Sequence, residues 1–304
     1  MRYAMSKKAF GAWMCLLFAG VFLFSALLSI WYAGSAPMRL LAVEWNETVG
    51  TIYRDLPYQD GLHYDLYIPA DIDQTSPQHL LLFIHGGSFN SGAKEDGDAW
   101  CRYFASQGYI AATLDYSLQG EGRQVPLQQM NDEIAACVAA IDAYCTSLGC
   151  QIDGMAPVGV SAGGTLAMNY AYTCADSSAI PVRFVCQLAG PADFQPEDWG
   201  LLKQANGITS DEDFIAMMAG NGSIDEISPA QLITPASVPT LMGYGLRDHV
   251  IPGNQRLKMT EALRSNGVPF ECHEFPNSNH GLYADLDVLQ IFLDQLLAWC
   301  ERYF

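Results

Sequence analysis

The chain has 304 residues, 50% of them hydrophobic and 16% charged, which is enough apolar material for one sizeable domain with a real core. Its formal charge of −18 argues against nucleic acid as a partner, because phosphate binding needs a basic surface, and it fits poorly with an acidic substrate. Glycine and proline are spread along the chain, so low-complexity and repeat architectures are excluded as well.

The N-terminus differs sharply from the rest. No residue from Ala9 to Met38 is charged, and the run FGAWMCLLFAGVFLFSALLSIWY is apolar on every face. About 20 such residues in a helix cross a bilayer. Arg2, Lys7 and Lys8 precede the run, whereas the acidic residues begin only at Glu44. The positive-inside rule then keeps residues 1–8 in the cytoplasm, makes 9–36 a transmembrane signal anchor, and sends the remainder outward. A cleaved secretory signal is the rival, with Ala33, Ser35 and Ala36 near a cut site, although Pro37 and the length of the run speak against cleavage. Either way the rest of the chain is extracytoplasmic. Residues 37–45 read as a juxtamembrane linker, and 46–304 as one domain.

Within that domain strand-like and helix-like signals alternate. HYDLYI is a strand ending at Pro69, and LLLFI is a buried strand running into HGG. DAWCRYFASQG is a helix closed by Gly108, followed by the strand YIAATLDY. LQQMNDEIAACVAAIDAYC has helical spacing, MAPVGV is a strand, and AGGTLAMNYAYTC is the helix after it. VRFVCQLAG and VPTLMGYG are further strands, then come the helix NQRLKMTEALRSNG, the strand FECHEF and a terminal amphipathic helix. Short apolar strands separated by helices predict an α/β domain with a mostly parallel sheet covered on both faces. Residues 193–228 break the rhythm with two short helical pieces and read as a cap insertion.

Of nine cysteines, Cys15 falls in the apolar segment and eight in the domain, where an exported location permits disulfides. Cys145 and Cys150 flank a short turn, and Cys174 and Cys186 another loop, yet Cys137 and Cys186 sit where a reduced cysteine packs as a small hydrophobe. The pairing stays open. Neither His and Cys spacing nor any acidic cluster suggests a metal site.

The strongest chemical signal is Gly159-Val160-Ser161-Ala162-Gly163, set between a strand and a helix. That context makes a sharp turn that exposes the serine, with glycines where the turn crowds the backbone. A Gly/Ser turn alone would be unremarkable; the flanking strand and helix make Ser161 the candidate nucleophile. Upstream, His85-Gly86-Gly87-Ser88-Phe89 follows a buried strand, and the amides of Gly86, Gly87 and Ala162 are candidate oxyanion donors. His85 braces that loop. A serine needs a base and the base a carboxylate. His280 lies in the polar loop PNSNHG after the last strand, whereas His63, His79 and His273 fall in or beside strands and His249 adjoins the candidate acid. Asp248, in GLRDHVIP, occupies a strand-end loop in the chain order Ser, Asp, His; Asp193 is the second choice, and Asp285 and Asp287 are remoter rivals. Phe89 and Val160 are the candidate pocket residues.

Taken in order, LYIP, IHGGSF, LDY, GVSAGGTLA, GLRDHVIP and SNHG resemble the α/β-hydrolase superfamily over about residues 60–304. Within it the chain is similar to small carboxylesterases with an HGG loop, most closely the acetyl-xylan and feruloyl esterase-like branch. The hormone-sensitive-lipase-like branch often has Asp where Val160 stands, and many relatives carry His where this chain has Tyr244. The resemblance implies hydrolysis of a small or glycan ester through an acyl-enzyme with no cofactor. Two other function classes are weighed beside it: a peptidase or amidase using the same triad, and a catalytically silent binding protein.

Overall fold

The computed structural model describes residues 39–304, apart from residues 74, 121, 122 and 206. Segments 1–8 and 9–36 lie outside the described residues, and among the described residues no helix is long and apolar enough to cross a membrane. Part of the expected linker is packed on the domain. Leu41 is buried, and Trp45 meets the Tyr67 ring edge-on at 6.0 Å while the Arg102 guanidinium lies over its indole at 5.4 Å. Packing on the domain therefore starts ahead of residue 46.

Among the described residues eight strands form one sheet in the order β1-β2-β4-β3-β5-β6-β7-β8. They are β1 (Gly50–Gln59), β2 (Leu62–Pro69), β3 (Gln78–Ile84), β4 (Ile110–Leu114), β5 (Ile152–Val160), β6 (Val185–Leu188), β7 (Thr240–Gly245) and β8 (Phe270–Phe275). β2 pairs antiparallel with β1 and β4, and every other pairing is parallel. The helices that cover the sheet are α1 (Asp98–Ser106), α2 (Leu127–Ser147), α3 (Ala162–Thr173), α7 (Asn254–Ser265) and α8 (Leu286–Tyr303). Between β6 and β7 lie the short helices α4 (Gly200–Ala205), α5 (Asp211–Ala219) and α6 (Pro229–Leu232).

The strand β1 was not apparent from sequence periodicity. It is a half-exposed edge strand carrying Arg54, Asp55 and Pro57, with register shifts against β2. Charge, proline and irregular pairing are what keep such an edge from recruiting other chains, and they also erase the apolar alternation.

Period-2 alternation divides the core. Leu80, Leu82 and Ile84 of β3 face α2, α3 and α7, where Ile134, Val138, Leu166 and Met259 are buried. Leu81 and Phe83 face α1 and α8, against Trp100, Phe104, Phe292 and Leu296. Chain order reverses between β3 and β5, which are direct neighbours with Ile84 opposite Gly159. Loops leaving the carboxyl ends of two such strands diverge to opposite faces and leave a crevice, the place where open parallel sheets bind ligands. β7 and β8 end together as well, with Gly245 opposite Phe275.

Candidate active site

Ser161 sits in the turn from β5 into α3 with φ 56°, a left-handed conformation that a non-glycine residue adopts only when its surroundings force it. The forcing is visible in the neighbouring glycines. A Cβ on Gly159 would strike the carbonyl of Gly163, and one on Gly163 would strike the carbonyls of Ile84 and His85. Strand, turn and helix approach too closely for any side chain there. The Ser161 amide donates to the Leu188 carbonyl at 2.8 Å, and its own carbonyl accepts from Gly164, so the turn is fixed from both sides.

The loop after β3 is equally strained. Gly87, Ser88 and Phe89 have φ of 111°, 54° and 65°, and the carbonyl of Gly87 accepts from the amides of Asn90 and Ser91. His85 lies beneath it, buried, stacked on Tyr116 at 4.3 Å, with Nδ1 2.7 Å from the Gly86 carbonyl. Burial holds its imidazole below the ordinary histidine value, outweighing that hydrogen bond, so the ring is neutral and Nδ1–H donates. His85 thus braces the loop, as expected. Gly86 packs against Ser161: a Cβ there would come within 3.3 Å of the Ser161 Cβ. Among the described residues no hydrogen bond uses the amides of Gly86, Gly87 or Ala162 as donors. That of Ala162 is free because it opens a helix, whose first N–H groups have no partner within it.

The structure brings Ser161, His280 and Asp248 together. His280 Nε2 is 2.9 Å from Ser161 Oγ, and His280 Nδ1 is 2.7 Å from Asp248 Oδ2. Burial opposes ionisation of Asp248, but hydrogen bonds from His280 and from the amides of Ile251 and Val250 outweigh it and hold the carboxyl below its usual range. An ionised carboxylate only accepts, so Nδ1 carries the proton and Nε2 presents its lone pair to the serine hydroxyl. The rivals have other partners. Asp193 is buried against Lys258 Nζ at 3.3 Å and the Gln195 amide, away from the imidazole, and Asp287 is exposed on α8. Asp285 holds the histidine loop from behind, accepting from Ser278 Oγ at 2.7 Å and from the amide and side chain of Asn277.

A small apolar pocket of about 40 Å³ opens over Ser161, walled by Phe89, Pro191, Phe194, Trp199, Val250 and Ile251. Phe89, a candidate pocket residue, lines this cavity. Val160 does not: period 2 along β5 turns it to the same face as Val158 and Ala156, and it packs towards α1 and α8. Its proposed place in the pocket is corrected on that ground. Sequence reasoning missed Phe194 and Trp199, which stack at 5.4 Å, with Trp199 Nε1 donating to the Asp193 carbonyl. Both belong to the 193–228 segment, which reaches the site at these two side chains. Tyr244, whose role the sequence left open, donates to the Gly190 carbonyl at 2.9 Å, and Gly190 packs on Gly164 behind the serine turn. Among the described residues no group of three His, Cys, Asp or Glu side chains is placed to hold a metal ion.

A BD-FAE family model matches residues 64–263, which includes the strand before the HGG loop, the serine turn and the Asp248 loop. Esterase LipI of Mycobacterium tuberculosis is 24% identical over 81% of this chain and 84% of its own length. A non-reducing polyketide synthase of Preussia isomera is 25% identical over 72% of this chain, which spans only 10% of that much longer protein. Among solved structures, esterase B from Lactobacillus rhamnosis superimposes with a TM-score of 0.69 at 17% identity, covering 92% of this chain and 96% of its own, a likeness of fold. The chain belongs to the BD-FAE family, and with it to the carboxylesterase-like members of the α/β-hydrolase fold.

Proposed function

We propose that the protein is a serine hydrolase that cleaves carboxylic esters with a short acyl group through an acyl-enzyme. The observation that carries this reading is the unbroken chain from Asp248 through His280 to Ser161, at 2.7 and 2.9 Å. His280 takes the Ser161 proton as Oγ attacks the ester carbonyl, and Asp248 stabilises the imidazolium that forms. The amides of Gly86, Gly87 and Ala162 receive the oxyanion of the tetrahedral intermediate. His280 then protonates the departing alcohol, and a water activated by the same ring releases the acid. The strained φ at Ser161 supports this role, since it lifts Oγ clear of the strand.

The acyl preference rests on the pocket. Its wall of Phe89, Phe194 and Trp199 leaves about 40 Å³, room for a short chain. The alcohol side, small molecule or glycan, leaves through the wider groove beside His249 and Pro252. The apolar run at 9–36 anchors the chain as a single-pass protein, with the catalytic domain on the extracytoplasmic side.

A fluorophosphonate probe and a panel of p-nitrophenyl esters test both parts. Full-length protein in the membrane fraction is expected to label at Ser161 and to turn over acetate and propionate esters faster than octanoate. Ser161→Ala should lose label and activity, by a factor on the order of 10⁵–10⁶ in kcat. Labelling that survives in Ser161→Ala would end the triad assignment, and amide turnover without ester turnover would move the reading to a peptidase.

A further inference from the structure

All eight cysteines among the described residues are free thiols, and backbone geometry sets two of them apart. The helix α2 ends in a Schellman cap. Gly149, at φ 80°, turns the chain back; its amide donates to the Thr146 carbonyl at 3.0 Å, and the Cys150 amide donates to the Cys145 carbonyl at 2.9 Å. Those two bonds define the motif, and the residues joined by the longer one usually make an apolar contact across it. Here both are cysteines, buried in the same cluster, at 0% and 2% exposure.

The amide bond also limits how far apart they can be. Added to ordinary backbone bond lengths and the trigonal angle at the carbonyl carbon, the 2.9 Å between nitrogen and oxygen caps the Cα–Cα separation at about 6.8 Å, the upper edge of the disulfide window. The thiols also sense each other: burial, and then the neighbouring Cys150, push Cys145 up to about 12. Among the described residues no other cysteine pair is tied this way. Cys186 and Cys300 are near enough to interact, but they lie on β6 and α8 with no hydrogen bond between their backbones.

We propose that Cys145 and Cys150 are an oxidation site, forming an intramolecular disulfide that staples the C-terminal cap of α2 when the chain folds in an oxidising compartment. The reaction is exchange with a small-molecule disulfide such as oxidised glutathione. Cys150, the less buried of the two, attacks as thiolate and expels one glutathione thiolate, giving a mixed disulfide. Cys145 then displaces the second glutathione. Two protein thiols lose two electrons and two protons, and one glutathione disulfide becomes two thiols. The bond forms as the helix caps itself, before strand packing closes over the turn. It lies at the start of β5, a full strand away from Ser161, so it does not depend on the proposed catalysis.

The full chain refolded with oxidised glutathione, alkylated and digested with chymotrypsin gives the test, because a cut after Leu148 separates the two cysteines. The fragments on either side of Leu148 should stay joined, lighter than their sum by two hydrogens, and part on reduction. Reduction should lower the melting midpoint by about 5 °C. Cys145→Ser or Cys150→Ser should abolish that redox dependence. Separately alkylated thiols, a glutathione adduct on each, or a link from either to Cys174 would overturn the proposal, and each can be read on the unmutated chain.

Discussion

The two halves of the site are held by different physics. On the Gly86 and Ser161 side, backbone packs on backbone: Gly159 and Gly163 let strand, turn and helix approach where no Cβ fits. On the Asp248 and His280 side, side chains do the holding. Asp248 accepts two amides of its own loop, and Asp285 gathers Ser278 and Asn277 beneath the histidine. Only Gly245 repeats the first pattern there, since a Cβ on it would come within 2.6 Å of the carbonyls of Ser278 and Asn279. Steric exclusion is all-or-none and indifferent to pH, whereas a hydrogen-bonded loop fails by degrees and titrates. Substitutions on the two sides should differ in kind.

The largest effect is expected for Gly163→Ala. The new Cβ would meet the carbonyls of Ile84 and His85, backbone atoms that cannot rotate away. Destabilisation of about 4 kcal/mol or more, at the extreme end for single substitutions, should appear as insoluble protein or a lowered urea midpoint. A soluble variant of normal stability and turnover would show that the turn has slack. Asp248→Asn tests the other half and should cost only the modest stability that its depressed carboxyl contributes, leaving the domain folded. The amide favours the wrong histidine tautomer, so kcat is expected to fall about 10⁴-fold with slowed fluorophosphonate labelling. If Asp248→Asn instead unfolded the domain, the contrast between the halves would collapse.

The division also explains what the sequence made legible. Ser161, Asp248 and His280 could be found because each follows a strand end in a short loop rich in Gly, Asn or Ser, and local composition is what sequence shows best. The HGG loop at residues 85–87 stood out for the same reason. Phe194 and Trp199 were not, because they reach the pocket from an insertion whose position depends on contacts with α7: Asp198 accepts from Asn254, Gln255 and Lys258. No periodicity reports such long-range docking. Val160 is a different miss, since it neighbours Ser161 in sequence but strand alternation turns it to the opposite face. The edge strand β1 escaped because its charges and Pro57 serve solubility rather than burial.

The smallest and most informative effect belongs to Asp285. Burial opposes its ionisation, but hydrogen bonds from Ser278 and Asn277 prevail and hold the carboxyl below its usual value of 3.8. A carboxylate depressed in the folded state contributes stability that is complete above the unfolded value, near 4, and fades as pH falls through the folded one. Wild-type stability should therefore decline below about pH 4, with Asp248 and Asp198, both held low as well, sharing the slope. Asp285→Asn removes one contributor, so its stability should be lower at pH 7 and should fall less steeply below about pH 4 in urea titrations. Because the loop it releases carries His280, kcat/KM at pH 7 should drop by up to about 100-fold, the scale of an ångström's misplacement of a catalytic group. Full activity with an unchanged acid slope would mean that the contact of Gly245 with Ser278 and Asn279 alone positions the histidine, and that both halves of the site are held by backbone packing after all.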